Sequence, residues 1–326
     1  MKNKFLTILA RLLIAVGILS LAGTGSSAQS SSTTAAGNYT VLTPWGDPDL
    51  QGTWSYASLT PLQRPLRLEE KEFYTDAEAA DINAQVVRER PLTPGVVGDY
   101  NIVWYDRGSV STDLRTSLIV DPVDGRLPLT EETRQRQAEE AAYRREHPSD
   151  SWLDRSNWVR CITYHGVPPI STGYNNTYQI VQNPDFVAIV VENIHDVRII
   201  PLDGRPRLHA NIRQWNGDSR GHWEGNTLVV ETTNFSDKSR HRFPSSRNLR
   251  SVERFTRVSD QLIDYEFTIE DSEVYTRSWT AVRPMPALDD YIIYEYACHE
   301  GNYAMFNILR GARVQEAAAK AASKNN

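Results

Sequence analysis

Residues 250–269 read RSVERFTRVSDQLIDYEFTI, two runs of strand-forming residues with Ser259-Asp260 between them. Runs rich in β-branched and aromatic residues and bounded by turn formers are typical of strands, and two joined by a short turn predict an antiparallel hairpin. The same pattern recurs along the second half of the chain. We expect strands at residues 178–181, 186–193, 197–201, 221–223, 227–233, 250–258, 261–269, 274–281 and 292–297.

The turns between these runs carry typical turn formers, as in Asn183-Pro184-Asp185, Asp203-Gly204 and Glu224-Gly225-Asn226. Strands that follow one another every ten residues or so, with no helix between them, predict an antiparallel meander. Because open strand edges promote aggregation, a meander of this length usually closes into a barrel or curls strongly. The sequence therefore predicts a mainly β fold.

Two segments before the meander have helical spacing and strong helix formers, at residues 69–90 and 130–146. Thr130 is placed to cap the second helix and Pro148 to end it. The second helix has almost no apolar stripe, so we expect an exposed connection and not a core element. Together they predict an N-terminal segment with two helices that wraps around the sheet.

The N-terminus has the pattern of a removable signal peptide. Cations at Lys2, Lys4 and Arg11 accompany an apolar run at residues 12–21, followed by small residues up to Ala28. This run is about half of the roughly 20 residues that cross a bilayer. We expect export to the periplasm or the extracellular space without stable membrane insertion, and the following organisation: signal peptide 1–28, flexible leader 29–38, single β-rich domain 39–314 and disordered tail 315–326.

Charge and motifs exclude several classes of function. The chain has 35 basic and 41 acidic residues and a formal net charge of −6, which disfavours binding to nucleic acid or anionic membranes. It lacks the Gly-x-Ser-x-Gly elbow, the P-loop and the Gly-x-Gly-x-x-Gly turn of the commonest serine hydrolases and nucleotide-binding proteins. We expect a small-molecule substrate or ligand, and the sequence predicts no particular oligomeric state.

The chain has two cysteines, Cys161 and Cys298, and both lie in the part predicted to be exported. In an oxidising compartment, a pair of cysteines far apart in sequence is more often a disulfide than two free thiols. We therefore expect a Cys161–Cys298 disulfide.

His195 and Asp196 lie at the turn between two apolar runs, where a sheet meets its open end. Strand alternation places Asp196 and Arg198 on one face, with His195 on the other face or in the turn. A histidine beside an acid in this position predicts a general acid or base. A turn held by a local charge network is the alternative.

His299 and Glu300 directly follow Cys298, after the last predicted strand. A covalent bond beside them would hold their backbone still, as a preorganised site requires. They are the second candidate catalytic pair. The alternative is that this segment only fastens the C-terminal part of the chain.

A Cys161–Cys298 bond would also bring His165 close to His299. With His195 added, three imidazoles could meet, and three histidines or two histidines and a carboxylate bind zinc and related metals. No spacing typical of a metal motif is present. We therefore expect no cofactor and keep a zinc enzyme as an alternative.

Several other polar and aromatic residues lie beside turns and are candidates for binding a substrate. Arg115 could hold a carboxylate through two hydrogen bonds, or form an ordinary salt bridge at a strand edge. The eight Trp and 15 Tyr residues could line a pocket for an aromatic ligand, or fill a large core. The candidate substrate-binding residues are Arg115, Tyr164, His165, Tyr174, Asn175, Arg198 and Trp223.

Gly52-Thr53-Trp54 resembles the Gly-x-Trp sequence on the first strand of lipocalin-like (calycin-like) proteins. This resemblance implies that the curled sheet is a lipocalin-like barrel. Longer motifs resemble a group of exported bacterial β-rich proteins, and imply export and a β-rich fold but no substrate: residues 49–54, 115–122, 195–204, 223–235 and 298–302.

These features predict a secreted enzyme that performs acid–base chemistry without a cofactor on a small, largely apolar or aromatic molecule, as a lyase, isomerase or hydrolase. His195 or His299 would be the base, Asp196 or Glu300 would orient it, and Arg115 or Tyr174 would bind or polarise the substrate. A periplasmic carrier for a hydrophobic ligand and a metal-dependent enzyme with a histidine cluster are the alternatives.

Overall fold

The hairpin quoted above forms as predicted. Strands β8 (Arg250–Ser259) and β9 (Leu262–Glu270) pair antiparallel, and the chain turns between them at residues 260 and 261. Every second side chain of β9, from Ile263 through Ile269, is fully buried. This alternation buries one face of the strand and leaves the other polar, which fixes the register of the pair.

The structure is a computed structural model that describes residues 39–86, 105–164, 166–239 and 241–324. The predicted signal peptide and leader lie outside these residues. The remaining elements are β1 (Gly52–Ser55), α1 (Asp76–Val86), β2 (Ile119–Asp121), α2 (Glu131–Glu146), β3 (Thr177–Gln182), β4 (Phe186–Val191), β5 (Asp196–Pro201), β6 (Asp218–Glu224), β7 (Thr227–Thr233), β10 (Trp279–Pro286) and α3 (Tyr303–Ala322).

The strands form two antiparallel sheets. A four-stranded sheet has the order β1-β3-β4-β5, and a six-stranded sheet has the order β2-β10-β9-β8-β7-β6. The inner faces of both sheets contribute to one apolar core, from Trp54 and Ile189 on the first sheet to Phe255 and Trp279 on the second. The prediction of a mainly β antiparallel fold is confirmed.

The two sheets also meet at their edges. On one side, the backbone N–H of Leu288, just after β10, donates to the carbonyl of Thr53 on β1 at 2.8 Å. On the other side, β6 approaches β5 so closely that a Cβ on Gly221 would lie 2.8 Å from Ile200. A glycine is therefore required at this crossing, because any larger residue would push the strands apart.

A buried ion pair links the sheets through the core. Arg198 of β5 donates from Nη1 to Glu253 Oε1 of β8 at 3.0 Å, and from Nη2 to the other carboxylate oxygen. Its Nε donates to Ser219 of β6 at 2.9 Å and its Nη2 to Thr232 of β7 at 2.8 Å. Tyr265 of β9 donates to Glu253 at 2.8 Å, so the network crosses five consecutive strands.

The helices agree in part with the sequence analysis. Thr130 caps α2 by accepting a hydrogen bond from the Thr133 N–H, as predicted, and α2 buries almost nothing. The first helix begins at Asp76 and not at residue 69, because a short 3-10 turn and an irregular segment precede it.

Helix α3 was not predicted. It extends to Ala322, so residues 315–322 are helical, and the prediction of a disordered tail there is wrong.

Two strand predictions also need correction. Residues 274–278 lie before β10, in a turn where the Val274 and Tyr275 N–H groups donate to the Asp271 carbonyl. Residues 292–297 form no strand, because this segment pairs with no neighbouring strand. Ile292 and Tyr294 within it are both 72% exposed. The described residues contain no helix that is long and apolar enough to span a membrane.

The predicted disulfide joins Cys161 to Cys298, with a Cα–Cα distance of 5.6 Å and a sequence separation of 137 residues. It fastens the irregular segment around residue 296 to the turn at residue 161. Asn302 strengthens the attachment, since its Nδ2 donates to the carbonyl of Val159 at 3.0 Å.

Reduction of this disulfide should destabilise the fold. Opening a loop of 137 residues returns conformational entropy to the unfolded chain, and the chain-entropy model predicts a loss of about 4 to 5 kcal/mol in the free energy of unfolding. Urea unfolding with and without reductant measures it. A variant with both cysteines changed to serine is the control, and should not respond to reductant. An unchanged midpoint for the reduced wild type would contradict this prediction.

Removal of one partner of the buried ion pair should cost more than removal of both. Glu253→Ala leaves the Arg198 guanidinium buried without a counter-charge, and should lower the free energy of unfolding by about 3 to 5 kcal/mol. The double variant Arg198→Met with Glu253→Leu removes both charges and should lose less. Urea denaturation of the three proteins tests this, and an equal or larger loss in the double variant would show that charge compensation does not matter here.

Candidate functional site

The chain is strained where β4 passes into β5. Between these strands, residues Asn193–His195 form a short 3-10 turn, in which Ile194 and His195 have φ values of 64° and 45°. Left-handed backbone at a non-glycine residue costs about 1 to 3 kcal/mol and is least tolerated by β-branched side chains such as isoleucine. The turn brings Asn193 and Asp196 to the same side of the chain.

A small cleft lies at this turn, which we call the Asp196 cleft. Its walls come from the end of the four-stranded sheet and from two irregular segments that cover it, and in its present form it has room for about one water molecule. It is lined by Thr163, Tyr164, Gly166, Val167, Tyr178, Val191, Asn193, Asp196, Arg198 and Asn216.

Asn193 has the most unusual side chain in the cleft. The residue is 1% exposed, yet neither its Oδ1 nor its Nδ2 has a hydrogen-bond partner among the residues that the structure describes. Buried polar groups in proteins are almost always paired, because an unpaired one costs about 1 to 3 kcal/mol. The Asn193 amide therefore offers one acceptor and one donor to whatever enters the cleft.

Asp196 lines the same cleft. Burial raises its pKa by disfavouring the charged form, although the Asn216 side chain, the Val197 N–H and the charges of His195 and Arg198 lower it in part. Asn216 Nδ2 donates directly to Asp196 Oδ2. A half-buried carboxyl with a raised pKa exchanges protons more readily near neutral pH than an exposed one.

His195 is held in one orientation by the C-terminal segment. Its Nδ1 lies 2.8 Å from the carbonyl oxygen of Tyr296, two residues before the disulfide. A carbonyl can only accept, so Nδ1 carries the proton and the lone pair is on Nε2. The Tyr296 hydroxyl in turn accepts from Trp158 Nε1 at 3.3 Å. The His195 side chain is exposed and does not line the cleft.

Two of the predicted substrate-binding residues are part of the cleft wall. Tyr164 stacks on Trp158 with 4.8 Å between ring centroids, and Arg242 lies 5.6 Å from the centre of its ring. Arg198 lines the cleft while it is fully engaged with Glu253. Asp196 and Arg198 share the inner face of β5, as alternation predicts.

The other predicted residues lie elsewhere. His299 and Glu300 are exposed. Arg115 pairs with Glu72 at 2.8 Å and Asp113 at 3.2 Å, the salt-bridge alternative. Trp223 packs against the core with its Nε1 unpaired. Tyr174 and Asn175 lie in a turn next to β3 that is not part of the cleft lining, and the Asn175 carbonyl accepts from the Tyr56 hydroxyl at 3.4 Å.

The zinc alternative rested on His165, His195 and His299. His165 lies outside the described residues, so its distance from the other two stays undetermined. Among the residues that are described, no three His, Cys, Asp or Glu side chains are grouped so as to hold a metal ion.

Sequence reasoning missed Asn193 and Asn216. Both are ordinary turn residues in the sequence, and nothing in their local pattern distinguishes them from exposed asparagines. Asn216 reaches Asp196 from a separate loop, where Gly217 has φ +71° and a Cβ would lie 2.6 Å from the Thr233 carbonyl. In the sequence, Gly217 is the local sign that the turn containing Asn216 is tightly packed.

A buried acidic residue directly precedes this turn. Glu192 is 1% exposed and accepts a hydrogen bond from the Tyr291 hydroxyl, and its Oε2 has no partner among the described residues. Burial, and next the negative charge of Glu192, raise the pKa of Asp106. Burial therefore raises the pKa of two carboxyl groups near this end of the four-stranded sheet, those of Asp106 and Asp196.

His241 lies next to the cleft wall with both ring nitrogens buried. Neither nitrogen has a partner among the described residues, and a Cβ on Gly166, which lines the cleft, would lie 3.3 Å from Nδ1. The ring stacks on Phe243 with 5.3 Å between centroids. Burial lowers the pKa of His241 from 6.5 to about 4, so the ring is neutral at physiological pH.

This histidine should make stability depend on pH. Because the folded pKa lies below the unfolded one, the unfolded chain binds more protons between pH 6.5 and about 4, and stability is lost as the pH falls through this window. The loss attributable to His241 should approach about 3 kcal/mol.

Urea unfolding of the wild type and of His241→Phe, measured between pH 7 and pH 4, tests this prediction. The variant keeps an aromatic ring next to Phe243 but cannot bind a proton. The wild type should lose more stability than the variant over this range. Parallel curves for the two proteins would contradict the assignment.

No protein-family model, no curated protein and no solved structure matches this chain. Its function is therefore inferred from the residues of the Asp196 cleft.

Proposed function

We propose that the protein is an enzyme that performs acid–base chemistry on a small molecule in the Asp196 cleft, without a cofactor. One observation carries this proposal: the buried Asn193 amide has no partner and faces the same cleft as a carboxyl group whose pKa burial raises. A binding group and a proton-transfer group thus meet at one point.

The Asn193 amide would hold the substrate. Its Nδ2 can donate to a carbonyl or hydroxyl oxygen, and its Oδ1 can accept from a neighbouring N–H or O–H. A ligand that satisfies both recovers the free energy that the unpaired amide costs in the empty cleft. Since the cleft has room for about one water molecule, one polar group of the substrate enters it, while the remainder lies outside or displaces the covering segments.

Asp196 would transfer the proton. A carboxyl group whose pKa is raised toward the working pH is an efficient general acid and base. The carboxylate accepts a proton from the bound group, and the resulting acid returns it to the product or leaving group, so that the enzyme ends unchanged. The hydrogen bond from Asn216 Nδ2 would keep the carboxyl oriented through both steps. Proton transfer of this kind is common to lyases, isomerases and hydrolases.

His195 remains the second candidate base. The Tyr296 carbonyl fixes its tautomer and leaves the Nε2 lone pair available, as in sites where a histidine is oriented by another group. Its exposed position supports a role at the mouth of the cleft more than inside it.

We also infer that the two sheets together form a lipocalin-like barrel. The Thr53–Leu288 hydrogen bond on one side and the close approach of Gly221 to Ile200 on the other support this architecture, since they lie where the two seams would be. The Asp196 cleft would then open near one end of the barrel, the usual place for a ligand in this architecture.

Export to the periplasm or beyond is part of the same proposal. The disulfide supports it, because such bonds persist in oxidising compartments. The acidic balance of the chain supports a small-molecule partner over nucleic acid.

Deuterium exchange tests the proposed chemistry. The purified protein would be incubated in D₂O with a panel of small ketones, aldehydes and esters, and ¹H NMR would follow the loss of signals next to each carbonyl. We expect faster exchange for at least one compound, and a decrease of about 10²- to 10⁴-fold in Asp196→Asn, because the amide cannot accept the proton.

Asp264→Asn is the matched control. This carboxyl lies on β9, outside the cleft, and burial also raises its pKa. The Asp264→Asn variant should catalyse deuterium exchange at the wild-type rate. Equal rates for Asp196→Asn and the wild type would exclude Asp196 as the proton-transfer group. A compound that binds at Asn193 but is recovered without exchange would favour the carrier alternative.

A further inference from the structure

A second buried cation lies in the core, on β10. Arg283 is 1% exposed, and its Nη1 donates to the carbonyl of Pro169 at 2.9 Å. Its Nε and Nη2 are both buried and have no hydrogen-bond partner in the described part of the chain. Within the described residues, no carboxylate lies within ion-pair distance of this guanidinium.

The two unpartnered nitrogens are adjacent. Nε and Nη2 form one edge of the planar guanidinium and point their N–H bonds in the same direction. This edge matches the two oxygens of a carboxylate, which can accept from it through two parallel hydrogen bonds. The two unpaired nitrogens therefore form one edge that can bind both oxygens of a carboxylate.

Other buried arginines in this protein are engaged. Arg198 directs Nη1 and Nη2 to Glu253 and Nε to Ser219. Arg64, 5% exposed, donates from Nε to Thr116 at 3.0 Å and from Nη1 to the Glu69 carbonyl at 3.4 Å. Arg155 and Arg213 each leave only their buried Nε unpaired within the described residues, so Arg283 differs from them in leaving two adjacent donors free.

An unpaired buried guanidinium is costly, since removal of a charge from water without a counter-charge costs several kcal/mol. Burial lowers the pKa of Arg283, but an arginine side chain stays protonated in proteins. The unpaired Arg283 guanidinium is therefore a candidate anion-binding group, because an anion that pairs with it would offset much of the free-energy cost of burying the charge.

The surroundings of Arg283 are aromatic. Tyr265 lies directly opposite it on β9, and Tyr56 and Tyr178 also interact with it electrostatically. Tyr56 and Tyr178 pack against each other with 4.7 Å between ring centroids. Tyr178 also lines the Asp196 cleft, so this tyrosine is common to the cleft and to the surroundings of Arg283.

We propose that the Nε and Nη2 edge of Arg283 binds the carboxylate of a small organic acid with an apolar body. A single positive charge with two coplanar donors suits a carboxylate better than a dianionic phosphate, and the tyrosine rings provide an apolar wall for the remainder of the ligand. The acid enters past Tyr178 from the cleft. This site does not depend on the proton-transfer role of Asp196.

Carboxylate-dependent stabilisation tests this site. The urea midpoint of the wild type, followed by tryptophan fluorescence at pH 7.5, would be measured with acetate, hexanoate or benzoate, with sodium chloride keeping the ionic strength constant. A ligand that binds only the folded state raises the midpoint. We expect at least one of the three acids to raise it above the value in sodium chloride alone.

Variants assign the effect to Arg283. Arg283→Met removes the charge and keeps an apolar side chain of similar length, so the acid should bind at least tenfold more weakly. Arg283→Lys keeps the charge without the paired donors and should also bind more weakly than the wild type. Arg64→Met is the matched control, and should respond to the acid as the wild type does.

Two results would overturn the proposal. One is the absence of a midpoint shift with all three acids. The other is an equal shift in the wild type and in Arg283→Met or, if that variant does not fold, in Arg283→Lys. Neither result bears on the deuterium exchange assigned to Asp196, so the two proposals can fail separately.

Discussion

The ion pair between Arg198 and Glu253 is the constraint on which the rest of the structure depends. Glu253 points into the core from β8, between Ser251 and Phe255, where a carboxylate without a partner would be strongly unfavourable. Arg198 reaches Glu253 from the other sheet. Its hydrogen bonds to Glu253 Oε1 at 3.0 Å and to Thr232 at 2.8 Å hold the guanidinium in one position. The pair therefore fixes how β5 lies against the six-stranded sheet.

The Asp196 cleft follows from that placement. Arg198 is two residues after Asp196 on the same face of β5, so holding one orients the other. The strained turn at Ile194 then places Asn193 beside it, and the disulfide holds the segment that orients His195. A strained turn, an unpaired amide and a carboxyl group of raised pKa together suit binding and proton transfer. The stability of the surrounding sheets offsets the free energy that these features cost.

The sequence predicted the features that local pattern determines. The 250–269 hairpin, the Thr130 cap and the Cys161–Cys298 bond depend on alternation, capping chemistry and cysteine number. Helix α3 also has a local pattern, with Asn302 as its cap and alanine-rich turns after it, but the sequence analysis predicts a strand just before it and a disordered tail over its second half. Asn193, Asn216 and Arg283 could not be found in this way, because each matters through a contact, or a missing contact, with residues far away in the chain.

The most direct test of this account is a crystal structure of the protein purified without denaturation, so that any bound small molecule is retained. The account predicts a small molecule in the Asp196 cleft, hydrogen-bonded to the Oδ1 or Nδ2 of Asn193 and in contact with the Asp196 carboxyl. An Asn193 amide that is fully paired with protein groups, in a cleft filled by side chains, would contradict it.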